Sequence, residues 1–176
     1  MNAFMDRMLR AAKFDAHLYE EVEADKSTMR QAMGVVVLSS LAAGVGSITT
    51  MGFGGILLGT LAALGGWYIW AYLTYFIGTK FLPEPQTEAD LGQLLRTTGF
   101  SSSPGLIRVL GIIPGLGTVV FVVASVWMLV AMVIAVRQAL DYTATWRAVA
   151  VCAIGWIIQT AILALLFSWF GGPPAV

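Results

Sequence analysis

Histidine, cysteine and charge are what this 176-residue chain has least of. It carries one histidine, His17, and one cysteine, Cys152, so neither a zinc site built from several His and Cys ligands nor an internal disulfide can be assembled. His17 lies in the amino-terminal tail with no cysteine beside it, and Cys152 falls in an apolar run, where it reads as a small core residue. Ser101-Ser102-Ser103 have no base to activate them; hydroxyls placed just before Pro104 suit the capping of the helix that follows. The chain is therefore expected to be non-enzymatic, with no catalytic residue, metal or cofactor.

Charged residues make up 11% of the chain, ten basic and ten acidic, for a formal net charge of +0. The basic side chains sit singly at the ends of apolar runs and form no stripe, so nucleic acid is not expected as a partner. What is abundant is apolar surface: 58% hydrophobic residues and a mean hydropathy of +0.81. Such a composition belongs in a lipid bilayer. Residues 1–31 are rich in charge and lack an uninterrupted apolar core, so no cleavable signal peptide is expected and the first apolar run acts as the insertion signal.

The apolar runs divide into five crossings: about 32–50, 55–78, a short third, 118–137 and 148–170. The expected class is an all-α integral membrane protein, a five-helix bundle spanning 32–170. It is preceded by an amphipathic tail at 1–31 and followed by a short external tail at 171–176. Arg7, Arg10, Lys13, Lys26 and Arg30 precede the first crossing, Lys80 and Arg96 follow the second, and Arg137 and Arg147 lie between the fourth and fifth. Basic residues near span ends stay cytoplasmic, which puts the amino terminus inside and the carboxyl terminus outside. Trp146 and Tyr142 then mark the inner interface, Trp169 and Phe170 the outer. The third segment is bounded by Pro104-Gly105 and by Pro114-Gly115-Leu116-Gly117, leaving about ten helical residues or roughly 15 Å. It is read as a crossing because otherwise Arg137 and Arg147 would face outside, and Arg108 is expected to reach the inner interface or an acidic partner.

In the tail, Met5, Leu9, Ala12, Ala16 and Tyr19 recur with a helical period, which suits a helix docked on the bundle's inner end or on the bilayer surface. A cluster of charge is expected there: Glu20, Glu21, Glu23 and Asp25 from the tail, with Arg108, Arg137, Asp141 and Arg147. Arg137 and Asp141 are four apart and can pair, and each arginine near the low-dielectric boundary should seek a carboxylate. The other reading is a solvated acidic tail. Tyr68, Tyr72 and Tyr75 share a face of the second run, and Gln159 lies deep in the fifth; they line a polar path or bond to neighbouring helices. Ser40, Gly44, Gly55, Gly59, Ala63 and Gly66 would let helix backbones approach closely. These faces serve a homo-oligomer or a monomeric bundle equally.

Three stretches carry a resemblance: Leu18 to Asp25, Pro104 to Gly111 with Pro114 after it, and Trp127 to Ala131 leading into Arg137-Gln138-Ala139-Leu140-Asp141-Tyr142. They resemble bacterial members of the Yip (Ypt-interacting protein) family, the Arg-Gln-Ala-Leu-Asp stretch most specifically. The resemblance implies five membrane helices with a cytosolic amino terminus, in a bacterial cytoplasmic membrane. For eukaryotic members it implies binding of Rab-type GTPases and organisation of vesicle membranes. The expected function is binding of a protein partner, or membrane organisation, through the cytoplasmic face. The rivals are a small oligomeric channel or transporter for an ion, lipid or small solute, and an accessory subunit of a larger complex.

Overall fold

The computed structural model describes residues 2–169, whose regular elements are all helical. In order they are α1 (Ala3–Ala12), α2 (Ala16–Ala24), a 3-10 turn (Lys26–Thr28), α3 (Met29–Gly46), α4 (Ile48–Lys80), α5 (Leu91–Phe100), a 3-10 segment (Ser103–Ile112), α6 (Gly117–Ala139) and α7 (Thr145–Trp169). The Trp169 side chain, Phe170 and the tail 171–176, to which the sequence reading gave the outer interface, lie outside the described residues.

Among the described residues, four helices are long and apolar enough to cross a membrane: Lys26–Gly46, Gly52–Lys80, Gly117–Ala139 and Thr145–Ile162. Leu57 and Leu58 on α4, Val122 and Val126 on α6, and Trp156 and Ile157 on α7 point outward, each more than half exposed. Helices satisfy their own backbone polar groups, so an apolar exterior of this kind suits lipid tails. The chain is an integral membrane protein.

The tail is two helices where one was expected. Phe14 takes a left-handed conformation, φ 64°, and the Asp15 carboxylate accepts the His17 N–H at 3.0 Å to start α2. The reversal between α3 and α4 also falls earlier than the expected Met51–Gly54, at Ser47, and Gly52 breaks the helical path with φ 64° and ψ −178°. Gly44 packs on Ile56 across this hairpin.

α5 joins the two halves of the core. Its start is fixed by a capping box between Asp90 and Gln93. Leu94 and Leu95 then pack with Val136, Leu140, Tyr142 and Val151, while Phe100 packs with Leu18, Tyr19, Val22 and Val35. α5 runs on past its apolar residues to Phe100 because Thr97 and Thr98 return their hydroxyls to the carbonyls of Gln93 and Leu94 and can be buried.

The third apolar segment winds as a 3-10 helix, whose rise of about 2.0 Å per residue gives roughly 20 Å over ten residues. That exceeds the 15 Å expected of an α-helix. Residues three apart eclipse one another in this winding, so Gly105, Arg108 and Gly111 share one ridge. It presses against α3: a Cβ on Gly105 would lie 2.0 Å from Ser39 Oγ, and a Cβ on Gly46 would lie 2.0 Å from the Arg108 carbonyl oxygen. Nor do the serines cap this segment. Ser101 and Ser103 donate to the carbonyls of Thr98 and Phe100, closing the end of α5.

Candidate functional site

At one end of the bundle the tail folds into a cap held by ion pairs. Arg7 and Arg10, one turn apart on α1, both reach Glu21 of α2, at 2.8 and 2.7 Å. Arg10 also holds Asp15 at 2.7 Å, and Arg7 meets Asp25 at 3.5 Å and the Gln31 amide oxygen at 3.0 Å. The hydrogen bond from Arg10 holds the carboxyls of Asp15 and Glu21 below their ordinary range, and the Ser27 hydroxyl does so for Asp25. Beneath them Tyr19 is fully buried, which raises its phenol pKa.

The cap is tied to the bundle by a residue the sequence reading counted only as a basic charge. Arg96 of α5 is 4% exposed. It donates from Nε to the Val22 carbonyl at 2.8 Å and from a terminal nitrogen to the Glu23 carbonyl, two groups left over at the end of α2. Trp127 of α6 adds a bond from Nε1 to the Ala12 carbonyl at 2.7 Å.

Around the end of α2 lies an acidic surface. Glu20, Asp90 and Asp141 are exposed, and Glu23 is half-buried among them. Burial first, then the charge of Asp141, push the Glu23 carboxyl up to about 7. Gln138 donates to Glu20 at 2.9 Å and so links α6 to α2.

The stretch from Arg137 to Tyr142 is a structural latch. Asp141 has φ 52° and ends α6 in a left-handed turn, which removes it from the helical spacing that would pair it with Arg137. Arg137 donates instead to the carbonyls of Tyr142 and Thr143, both at 3.1 Å. Tyr142 is buried and not interfacial, its hydroxyl bonding the carbonyls of Gly78 and Leu82, and burial pushes its pKa up to about 12. Arg147 does find a carboxylate, but from the loop after α4 and not from the tail: Glu84, at 3.1 Å. Glu84 also accepts the backbone N–H and the hydroxyl of Thr143, and the backbone bond chiefly lowers its pKa. Glu84 was missed because it stands between two prolines, where it reads as a loop residue. Trp146 is exposed, with the Arg147 guanidinium 5.2 Å from its ring centroid.

Arg108 does not belong to this charged cluster. Starting beside α5, the 3-10 segment carries it about 10 Å along the bundle. There it donates to Ser125 at 3.1 Å and lies over the Phe121 ring, and among the described residues it has no carboxylate partner. Its Nε is buried without a hydrogen-bond partner, as is Gln159 Oε1 on α7. Both residues line a cavity of about 240 Å³ together with Ser40, Ala63 and Gly66.

The expected tyrosine path is displaced, and the expected small-residue seam makes close contact at Gly44, against Ile56, but not throughout. The core-facing side of α4 is Ala71, Thr74, Ile77 and Gly78, so Tyr68 and Tyr72 point outward at 53% and 49% exposure. Tyr75 packs at the edge of the core. A Cβ on Gly59 or Gly66 would meet nothing within 4 Å; these glycines widen a cleft and do not seat a neighbour. Gly55 and Gly59 line a second cavity, about 220 Å³, which also has Ser40, Ala63 and Arg108 in its wall. Closer approach occurs elsewhere, at Gly46, Gly78, Gly99 and Gly105.

The fold and the cap define a polytopic helical membrane protein whose amino-terminal segment is packed onto one end of its bundle. The Yip1 domain model matches residues 17–172, from α2 through the last helix, and the chain belongs to that family. No curated protein and no solved structure matches it.

Proposed function

We propose that this Yip1-family protein is a non-enzymatic membrane platform that binds a basic segment of a protein partner through the acidic surface of its cap. The observation that carries this reading is the grouping of Glu20, Asp90 and Asp141 around half-buried Glu23. Like charges held together cost stability, and an oppositely charged partner relieves that cost. Glu21 and Asp25, by contrast, are already neutralised by Arg7 and Arg10, so they stabilise the platform without serving as its contact surface.

In the same reading the chain crosses the bilayer five times, the 3-10 segment being the third crossing. The roughly 20 Å length of this segment falls short of the hydrocarbon core of about 30 Å, and its flanks against α3 and α6 supply the protein surround that a short crossing requires. The cap is then cytoplasmic by its basic residues, in a bacterial inner membrane. A reporter active only outside the cytoplasm should work after Val176 and stay silent inserted at exposed Glu88; activity at both sites would refute the five-span topology.

To test the binding role, a photoreactive residue in place of exposed His17 should give a discrete protein adduct in native membranes. Combined Glu20→Gln, Glu23→Gln and Asp141→Asn should abolish the adduct while the purified variant melts no lower than the parent protein. An adduct indifferent to that change would end the acidic-surface reading. The cavity at Arg108 and Gln159 favours the rival, a channel or transporter, which predicts solute flux in liposomes that Gln159→Leu abolishes.

A further inference from the structure

Among the described residues, two buried side-chain polar atoms lack a hydrogen-bond partner, and they are chemically complementary: a donor, Arg108 Nε, and an acceptor, Gln159 Oε1. They come from different elements, the 3-10 segment and α7, yet face one cavity. A charged guanidinium within a bilayer-spanning bundle is costly unless paired, and the bond to Ser125 and the Phe121 ring occupy only part of its five-donor fork. Among the described residues, no carboxylate lines this cavity or the second one beside it, which also has Arg108 in its wall. The protein thus leaves a cation half-satisfied where it could have placed an Asp or Glu.

We propose that the cleft between α3, α4, the 3-10 segment and α7 binds a phosphate-bearing anion, with a phosphate oxygen accepting from Arg108 and a hydroxyl or protonated oxygen of the ligand donating to Gln159. The guanidinium fork matches phosphate geometry and holds it better than a point charge would. Size constrains what enters. At about 240 Å³ the cavity is smaller than the roughly 300–1,000 Å³ of drug-sized sites, so it takes a headgroup and not a whole lipid. The adjoining cavity, walled by Gly44, Gly55, Gly59 and Ile56, offers an apolar run into which a chain attached to that headgroup can extend. The small residues of α4 keep this space open: nothing stands within 4 Å of a Cβ built on Gly59 or Gly66. The source of the phosphate is an anionic phospholipid or a free phosphate, and the experiment separates them.

The full-length protein in a phosphate-free maltoside detergent would be titrated in one arm with phosphatidylglycerol and in another with inorganic phosphate, reading bound ligand by native mass spectrometry and the melting temperature in parallel. The expected result is saturable binding of one ligand per chain with a rise in melting temperature. Arg108→Gln should weaken it about tenfold or more, as for loss of a charge-assisted hydrogen bond, and Gln159→Leu should weaken it less. Gly66→Leu fills the cavity while keeping the charge and should also displace the ligand; it decides the matter if the arginine variant fails to fold. Arg7→Gln, in the cap, should leave binding unchanged. Binding in the phosphatidylglycerol arm alone assigns a lipid headgroup, and binding of inorganic phosphate assigns a free anion. Saturation by neither, or binding that survives both Arg108→Gln and Gly66→Leu, overturns the proposal.

Discussion

The cap and the cleft both place arginines where water is scarce, and they resolve the problem in opposite ways. Arg96 in the cap is buried against two carbonyls at the end of α2, and among the described residues no buried polar side-chain atom of the cap lacks a partner. Arg108 in the cleft keeps Nε unpartnered beside open space. A satisfied guanidinium fixes structure, because moving it strands the groups it bonds. An unsatisfied one retains capacity for a ligand, which is why the two residues should respond differently to the same kind of substitution.

The largest effect should come from Arg96→Met. It strands the Glu23 carbonyl and leaves the Val22 carbonyl to the Thr28 hydroxyl alone, and loss of two charge-assisted bonds there should cost about 3 kcal/mol, read from melting in detergent. The tail should become sensitive to protease at the same time. Without a bound ligand, Arg108→Gln removes one bond to Ser125 and one ring contact but also relieves the cost of a buried, unpartnered Nε, so the net loss should be less than about 1 kcal/mol. Equal losses for the two variants would break the comparison.

The glycines sharpen it next. Gly46→Ala drives a methyl against the Arg108 carbonyl, an overpacking that should cost about 2 kcal/mol or more. Gly66→Ala adds the same methyl to open space and should stay within about 0.5 kcal/mol. If the cleft were closed by tight packing, the two would cost alike.

Much of the fold was legible because lipid imposes a simple demand: apolar runs of sufficient length mark α3, α4, α6 and α7. The Arg137 to Tyr142 stretch was legible as a motif, although its work is to close α6 and hold the loops, with Asp141 in a left-handed turn that no helical spacing reveals. α5 was only half legible. Its second half is buried through Arg96, Thr97, Thr98 and Gly99, polar or small residues that hydrophobic periodicity cannot register. Arg108 was misplaced for another reason: counting charge at span ends assumes α-helical advance, and the 3-10 winding changes both the distance covered and the neighbours met. Gly105, Arg108 and Gly111 at a period of three were the available signal.

Acidity separates two sets of carboxylates in the cap. The Glu23 carboxyl titrates at about 7 in the fold against an ordinary 4.5, so between those values the folded state holds a proton that the unfolded chain has released. By linkage, stability falls as pH rises through that window, and Glu23→Gln should flatten the decline. Asp15 and Glu21 are held low, chiefly by Arg10; their contribution is complete above the ordinary carboxylate range and is lost as pH falls through their lowered values. Melting temperature followed from pH 4 to 8 should therefore peak on the acid side of neutrality. An unchanged slope in Glu23→Gln would place the acidic surface in open solvent.

The smallest effect is expected where a sequence reading of polar function would forecast the largest. Tyr68 and Tyr72 are about half exposed on the outer side of α4, and Tyr72 stacks on Phe76 with ring centroids 6.3 Å apart. Replacing either by Phe keeps the ring and its packing and removes only a hydroxyl directed away from the bundle, so stability should move by less than about 0.5 kcal/mol. Phosphate binding in the cleft should not move either, because the walls that hold Arg108 and Gln159 come from the opposite side of the helix, at Ala63 and Gly66. If Tyr72→Phe instead abolished ligand binding or a measured flux, the outer face of α4 would be part of a path, completed by a second copy of the chain packed against it.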